Sequence, residues 1–392
     1  MRILQVHNFY RQAGGEDRVV AAEYGLLTAN GHSVLQYTVH NNQVDKTAAL
    51  DLGLKTIWNG ESYQTVRRLI AEQRIDLVHV HNTLPLLSPA VYDGAAAQQT
   101  PVVQTLHNYR LLCPAATLYR DGAVCELCLD KAIKYPAVRH RCYRGSLPAS
   151  AAVSIMLAVH HLLGTYKRKI HTYIALTNFA RAKFREGGLP AERITVKPNF
   201  VGDDPRAGSG NGGYALFAGR LTEEKGVATL LDAWSNSPCA IPLKIVGDGP
   251  MQRFVSKRAT GLANVEYLGA VDYARVIELL KEAAFLVFPS RWYEGMPMVV
   301  LEAMACGTPV VAFGIGSLND LIVDGINGVK LALQDSGALA GFLKNPSELT
   351  ESMTHLRSST RAYFEQNFTA KRNYGLLLDI YNRAITQARP VS

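Results

Sequence analysis

Residues 285–313 read FLVFPSRWYEGMPMVVLEAMACGTPVVAF. FLVFP (285–289) is a short apolar run of strand character, 297–305 carries a helical pattern, and PVVAF (309–313) is a second strand. Strand, helix and strand in such close succession mark a parallel α/β sheet. Two glutamates, Glu294 and Glu302, stand in this segment with seven residues between them. Pro297 suits the first turn of a helix. That places Glu294 in the loop after a strand and Glu302 in the second helical turn. Doubly wound sheets bind ligands beyond the carboxyl ends of their strands, so both carboxylates are expected at one crevice.

The same alternation extends in both directions. RILQVH (2–7), SVLQYT (33–38), IDLVHVH (75–81), PVVQTLH (101–107), YIALT (173–177) and ITVKP (194–198) read as strands, with helical patterns such as 16–29 and 61–73 between them. VGDDPRAGSGNGG (201–213) has the polar, glycine-rich composition of a linker. A second series follows, with strands at 214–219, 243–247, 265–269, 285–289 and 309–313 and helices at 225–235, 250–258, 272–283 and 297–305. The expected architecture is α/β: two doubly wound, Rossmann-like domains, 1–200 and 201–370, facing a central cleft. A cysteine-rich insertion (108–145) belongs to the first. A C-terminal helix, 371–392, can return to the N-terminal domain.

The chain of 392 residues is long enough for two cores, and 48% of it is hydrophobic, which excludes a disordered protein. No apolar run approaches the ~20 residues that span a bilayer. MRILQVH opens as a strand without a signal-peptide pattern, so a cytoplasmic protein, soluble or peripheral at the membrane, is expected. The net charge of +8 is unevenly spread: up to Lys197 there are 23 basic and 14 acidic residues, and after it 18 and 19. Residues 131–197 alone hold 13 basic and 2 acidic side chains. Such a surface attracts phosphates or acidic lipid, or is simply solvated. No nucleic-acid-binding signature accompanies it, and no nucleic-acid partner is expected.

Six cysteines are present. Cys239 and Cys306 lie in apolar surroundings and read as core residues. Cys113, Cys125, Cys128 and Cys142 include a CxxC, and four thiolates suit a structural tetrahedral zinc. His140 can replace Cys142 as a ligand. Two disulfides or four reduced thiols are the alternatives.

Three further stretches carry chemistry. After the first strand, Gly14-Gly15 precedes a helix, where glycine permits close backbone approach and free N–H groups favour an anion. It matches neither a GxGxxG nor a P-loop pattern. In FAGRLTEEKG, Arg220 follows a strand and Lys225 starts the next helix; a guanidinium and an ammonium there can neutralise a diphosphate. Gly247 lies in VGDGP (246–250), a nucleotide-edge loop or a tight turn. In the opening segment, a carboxylate can hold a vicinal diol such as a ribose, and the backbone around Gly295, Met296 and Pro297 offers N–H groups to sugar hydroxyls or phosphate. His7, His79 and His81 end strands and read as structural.

AGRL-x3-KG, VGDGP, FPS-x3-EG-P-x4-EAMACGTPVVA and V-DG-NG strongly resemble the retaining glycosyltransferases of family 4, which have the GT-B fold. The resemblance covers nearly the whole chain and is looser in the first half, apart from GG and TLHN. It implies that Glu302 binds the ribose of a UDP- or GDP-sugar and that Glu294 lies by the sugar hydroxyls. It places Arg220, Lys225, Gly14 and Gly15 at the diphosphate and His107 near the reaction centre, with no metal required for catalysis. By the same resemblance the first half holds the acceptor. SLPASAAVSIMLAVHHLLGTYKRK (146–169) fits either a helix on an anionic membrane surface or a buried helix. A glycan or polyprenyl-diphosphate-linked oligosaccharide is the favoured acceptor, in polysaccharide or lipopolysaccharide assembly. A GT-B nucleotide-sugar epimerase or hydrolase, and a non-catalytic sugar-nucleotide-binding protein, are the alternatives.

Overall fold

The structure is a computed structural model that describes all residues except 13, 238–240, 333 and 389–392; the core reading of Cys239 therefore lies outside the described residues. The chain divides into two units. The first comprises Met1–Leu118, Cys125–Asn199 and Asn373–Ser392, the second Tyr119–Val124 and Phe200–Arg372.

The first unit is built on six parallel strands: β1 (Arg2–Phe9), β2 (Ser33–His40), β3 (Leu77–Asn82), β4 (Val102–Leu106), β7 (Thr172–Ala175) and β8 (Ile194–Val196). Their order in the sheet is β2-β1-β3-β4-β7-β8. A short antiparallel hairpin, β5 (Tyr119–Arg120) with β6 (Ala123–Val124), interrupts the chain between β4 and β7 and groups with the second unit. In the second unit β9 (Ala215–Ala218), β10 (Leu243–Val246), β11 (Val265–Gly269), β12 (Phe285–Phe288), β13 (Val310–Phe313) and β14 (Gly328–Leu331) run parallel in the order β11-β10-β9-β12-β13-β14. Central strands are buried on both faces, so they read as continuous apolar runs rather than alternating ones.

Strand and helix positions follow the sequence reading closely. The helices Gly15–Ala29, Gly60–Gln73, Val227–Ser235 and Met298–Ala305 sit within two residues of their expected ends. Three features differ. The hairpin Tyr119–Val124 groups with the second unit, although the whole insertion 108–145 is expected in the first domain. β14 is four residues long and half-buried at the sheet edge, too short and too mixed to register as an apolar run. The stretch 146–169 is not one helix: Leu147–Leu162 ends before Gly164, whose left-handed conformation (φ 67°) turns the chain into the short helix Thr165–Arg168.

The helix Ala370–Ala388 contributes Leu377, Ile380, Tyr381 and Ala384 to a cluster with Ile3, Leu77, Val103 and Ile174. Its apolar face thus covers the first sheet. The same helix brings Asn373 to Lys197, whose ammonium also pairs with Glu23 Oε1 at 2.8 Å with both side chains essentially inaccessible. A buried ammonium stripped of its carboxylate partner, or the reverse, leaves a charge with no solvation. Lys197→Met is therefore expected to destabilise the first unit by about 3–5 kcal/mol, seen as an earlier urea transition. Adding Glu23→Leu to it should recover much of the loss.

Candidate functional site

In the second unit the strand order reverses between β9 and β12. The loops that leave these two strands diverge, which opens a crevice at their carboxyl ends. Arg220 and Lys225 lie on the loop after β9, and Glu294 on the loop after β12. The backbones of the two loops touch. Arg291 N–H donates to the Glu224 carbonyl at 2.8 Å, and a Cβ on Gly226 would lie 1.9 Å from the Pro289 carbonyl oxygen. Gly226 also has φ +72°, so only glycine fits there on both counts.

This approach brings Lys225 to Glu294. The ammonium donates to Glu294 Oε1 at 2.7 Å, and the Ser290 hydroxyl donates to the same oxygen at 2.6 Å. Lys225 Nζ also stands 5.3 Å from the centroid of the Phe288 ring and 5.5 Å from that of Trp292. Glu294 is buried, and the ammonium and the hydroxyl both face its Oε1. Glu302 is buried too, in the second turn of Met298–Ala305, with Pro297 as the extended residue before that helix. Met296 is buried and Gly295 half-buried in the turn between them. Arg220 is exposed, two residues beyond β9.

The loop after β10 laces to the same edge. Leu221 N–H donates to the Asp248 carbonyl and Met251 N–H to the Leu221 carbonyl. Gly247 has φ +137°, and a Cβ there would lie 1.9 Å from the Gly219 carbonyl oxygen. These residues accordingly form one connected rim around the strand ends.

In the first unit the polar groups gather at the ends of β1, β3 and β4. Gly14 caps the helix Gly15–Ala29, but its N–H donates to Asp17 Oδ2 at 3.1 Å, and Asp17 Oδ1 pairs with His7 Nε2 at 2.8 Å. The glycine loop is thus braced from below by a buried histidine. His107 follows β4 and is half-buried; its Nε2 lies 2.9 Å from His81 Nδ1. Burial pushes both rings well below the ordinary histidine value, so both are neutral at pH 7. The strand-end histidines are therefore members of a connected array around His107. Sequence reasoning missed this, because isolated polar residues in apolar strands carry no periodic signal.

Glu16 was also missed. Its Oε2 accepts from the Tyr10 hydroxyl at 3.1 Å and from Asn108 Nδ2 at 3.3 Å, while its Oε1 is buried with no hydrogen bond. Burial first, and then the neighbouring Asp17 charge, push its carboxyl up to about 8, against the lowering effect of its hydrogen bonds. The GGE run in the sequence was its one available signal.

None of Cys113, Cys125, Cys128 and Cys142 is in a disulfide. Burial, then the neighbouring Cys113, pushes Cys128 up to about 11. Among the described residues one metal-competent group has its ligand atoms within 4.8 Å of one another, Glu23, His79 and His81; the four cysteines do not converge to that degree. Cys306 is buried in the second unit, as its apolar setting indicated.

Two family models match the chain: a glycosyl transferase 4-like domain over residues 14–199 and glycosyl transferases group 1 over 212–345. An uncharacterized glycosyltransferase of Methanocaldococcus jannaschii is 33% identical over 42% of this chain and 44% of its own length, so the chain spans under half of that relative. The phosphatidyl-myo-inositol mannosyltransferase of Mycolicibacterium smegmatis is 25% identical over 87% of this chain and 78% of its own. Among solved structures, Anabaena HepE in complex with UDP superposes with a TM-score of 0.68 at 19% identity, over 98% of this chain and all of that one.

The raised carboxyl of Glu16 has a measurable consequence. A group whose folded value lies above its ordinary 4.5 stabilises the fold while protonated, and that contribution disappears as pH rises from about 4.5 through about 8. Glu16→Gln, which cannot ionise, should match the wild type at pH 4. At pH 8.5 it should exceed the wild type by roughly 1–2 kcal/mol in chemical denaturation.

Proposed function

Since the chain belongs to the family 4 glycosyltransferases of the GT-B kind, we propose that it transfers a sugar from a UDP- or GDP-sugar to a glycan or lipid-linked acceptor, with retained anomeric configuration. The observation that carries this reading is the Lys225–Glu294 pair at the reversal point of the second sheet, with Glu302 buried on the helix that follows. In this reading Glu302 holds the ribose and Glu294 the sugar hydroxyls. Arg220 and Lys225 take the diphosphate between them. That HepE was solved with UDP supports a nucleotide-sugar donor.

Chemically, the bond from the anomeric carbon to the diphosphate oxygen breaks while a bond to the acceptor hydroxyl oxygen forms on the same face. The hydroxyl proton passes to the departing diphosphate. Negative charge grows on the leaving group, and preorganised cations stabilise it more in the transition state than in the ground state. Arg220 and Lys225 supply that charge from the protein. Glu294, already bonded to Lys225 and Ser290, serves first to position the sugar and the ammonium.

For the acceptor, the first unit offers exposed apolar residues and, close to them in sequence, exposed basic ones. The helices Ala49–Ile57 and Tyr135–Arg139 pack against Leu147–Leu162, and Leu50, Leu54, Ile133, Ile155 and Leu162 on these elements or beside them are exposed. Arg139, Arg141, Arg144, Lys167 and Arg168 are exposed nearby in sequence. Leu147–Leu162 buries one face (Val153, Met156, Leu157, His160) against the first unit, and we read its exposed Ile155 and Leu162 as the membrane-facing side. Among the described residues no helix is long and apolar enough to cross a membrane. Exposed apolar anchors together with exposed cations suit peripheral contact with an anionic membrane and a polyprenyl-diphosphate-linked acceptor. The cysteine segment we read as a structural zinc clip, which requires the sulfurs to close around the ion.

A thermal-shift screen against UDP- and GDP-sugars should pick out one donor. With that donor, Glu302→Ala should weaken binding by about 10–100-fold. Arg220→Ala and Lys225→Ala should mainly lower kcat, by ~100-fold; unchanged kinetics in all three variants overturns the donor site. Flotation at low salt should recover the protein with phosphatidylglycerol vesicles but not with phosphatidylcholine vesicles, and Ile155→Ser with Leu162→Ser should abolish that recovery. Metal analysis showing no zinc, together with four titratable thiols in the folded protein, excludes the clip.

A further inference from the structure

His107 does not stand alone, and what lies behind it fixes which of its nitrogens is free. Its ring stacks on His81 at 5.2 Å between centroids and 23° between planes, with His107 Nε2 and His81 Nδ1 2.9 Å apart. A neutral imidazole has one N–H and one lone pair. One proton therefore occupies this hydrogen bond, and which ring owns it is decided at the far side of His81.

There, His81 Nε2 lies 3.5 Å from Glu23 Oε2 and 3.4 Å from Gln5 Nε2. The Gln5 amide already donates to the Val20 carbonyl at 3.2 Å. Glu23 is inaccessible; its Oε1 accepts from Lys197 at 2.8 Å, and its Oε2 has no hydrogen bond. An unsatisfied buried carboxylate oxygen is a far stronger acceptor than an amide N–H is a donor. The His81 proton accordingly belongs at Nε2, facing Glu23. The other nearby imidazoles have partners of their own: His79 meets Tyr381 Oη at 2.6 Å through Nδ1, which also lies 3.6 Å from Glu23 Oε2, and Thr105 Oγ1 at 2.8 Å through Nε2, while His7 Nε2 meets Asp17 Oδ1 at 2.8 Å. The same contacts argue against a metal in this cluster, since Lys197 already brings the positive charge that a cation would supply.

We propose that Glu23, acting through His81, holds His107 as the Nε2–H tautomer, leaving His107 Nδ1 as the open hydrogen-bond acceptor toward a substrate hydroxyl. Glu23 and His81 are positioning residues, and Lys197, Asn373 and Tyr381 keep the carboxylate and His79 in register. The assignment of His107 to substrate contact rests on the proposed transferase reading; the tautomer does not.

The test is long-range 15N–1H correlation NMR on the full chain labelled at histidine, with His107→Asn identifying the His107 signals. Wild-type protein without substrate should show His107 Nδ1 in the unprotonated range and Nε2 protonated; the reverse pattern overturns the proposal. Glu23→Gln keeps an oxygen for Lys197 but turns an amide N–H toward His81, and should reverse the tautomer of both rings. An unchanged His107 spectrum in that folded variant also overturns it. If the variant does not fold, the wild-type spectrum alone decides. In the transfer assay Glu23→Gln should lower kcat about tenfold or more at unchanged donor KM. A reversed tautomer with unchanged kcat would leave the tautomer assignment standing and remove His107 from the reaction.

Discussion

The site at the strand ends of the second unit depends on the contact between the Gly226 backbone and the Pro289 carbonyl, where no side chain fits. Two loops that leave a parallel sheet in opposite directions would ordinarily splay apart. Here the left-handed glycine lets one settle onto the other, and the Arg291–Glu224 backbone hydrogen bond fastens them. Only then can the ammonium of Lys225 reach a buried carboxylate on the neighbouring loop. The ion pair is thus a product of backbone shape, and the glycine after Lys225 is as much part of the site as the charges it brings together.

The first unit solves a different problem. It buries a lysine, a glutamate and several histidines within an apolar sheet, a costly arrangement unless each polar atom finds a partner. Almost all do, and the partners come from β1, β3, β4, the helix Gly15–Ala29, the segment after β8 and the helix Ala370–Ala388. Such a network has few satisfactory proton arrangements. That restriction gives the half-buried His107 at its end a defined chemical face, which a solvated histidine would lack.

These two halves differ in how much the sequence disclosed. The rim of the second unit was legible because strand-end position, proline and glycine placement, and short spacings such as that from Glu294 to Glu302 are all local. Once the βαβ alternation is recognised, the topology itself carries Arg220, Lys225 and Glu294 to one edge. The histidine network was not legible, because its bonds join residues 174 apart (Lys197 to Glu23) and 302 apart (Tyr381 to His79). β14 escaped because an edge strand of four half-buried residues leaves no apolar run. The helix 146–169 was misjudged in extent because a single glycine, at Gly164, redirected it.

The helix Ala370–Ala388 also orders events during synthesis. The first unit begins at the first strand, yet its core closes with Leu377, Ile380 and Tyr381, which follow the whole of the second unit in the chain. At ribosomal rates of about 5–20 residues per second, tens of seconds at the slow end separate the two. Throughout that interval one side of the first sheet, including the histidines beneath the missing tyrosine, must remain uncovered. The second unit, whose main segment is contiguous from Phe200 to Arg372, can finish first. The domain that starts the chain is therefore the last to mature, and a nascent-chain chaperone would find its client surface there.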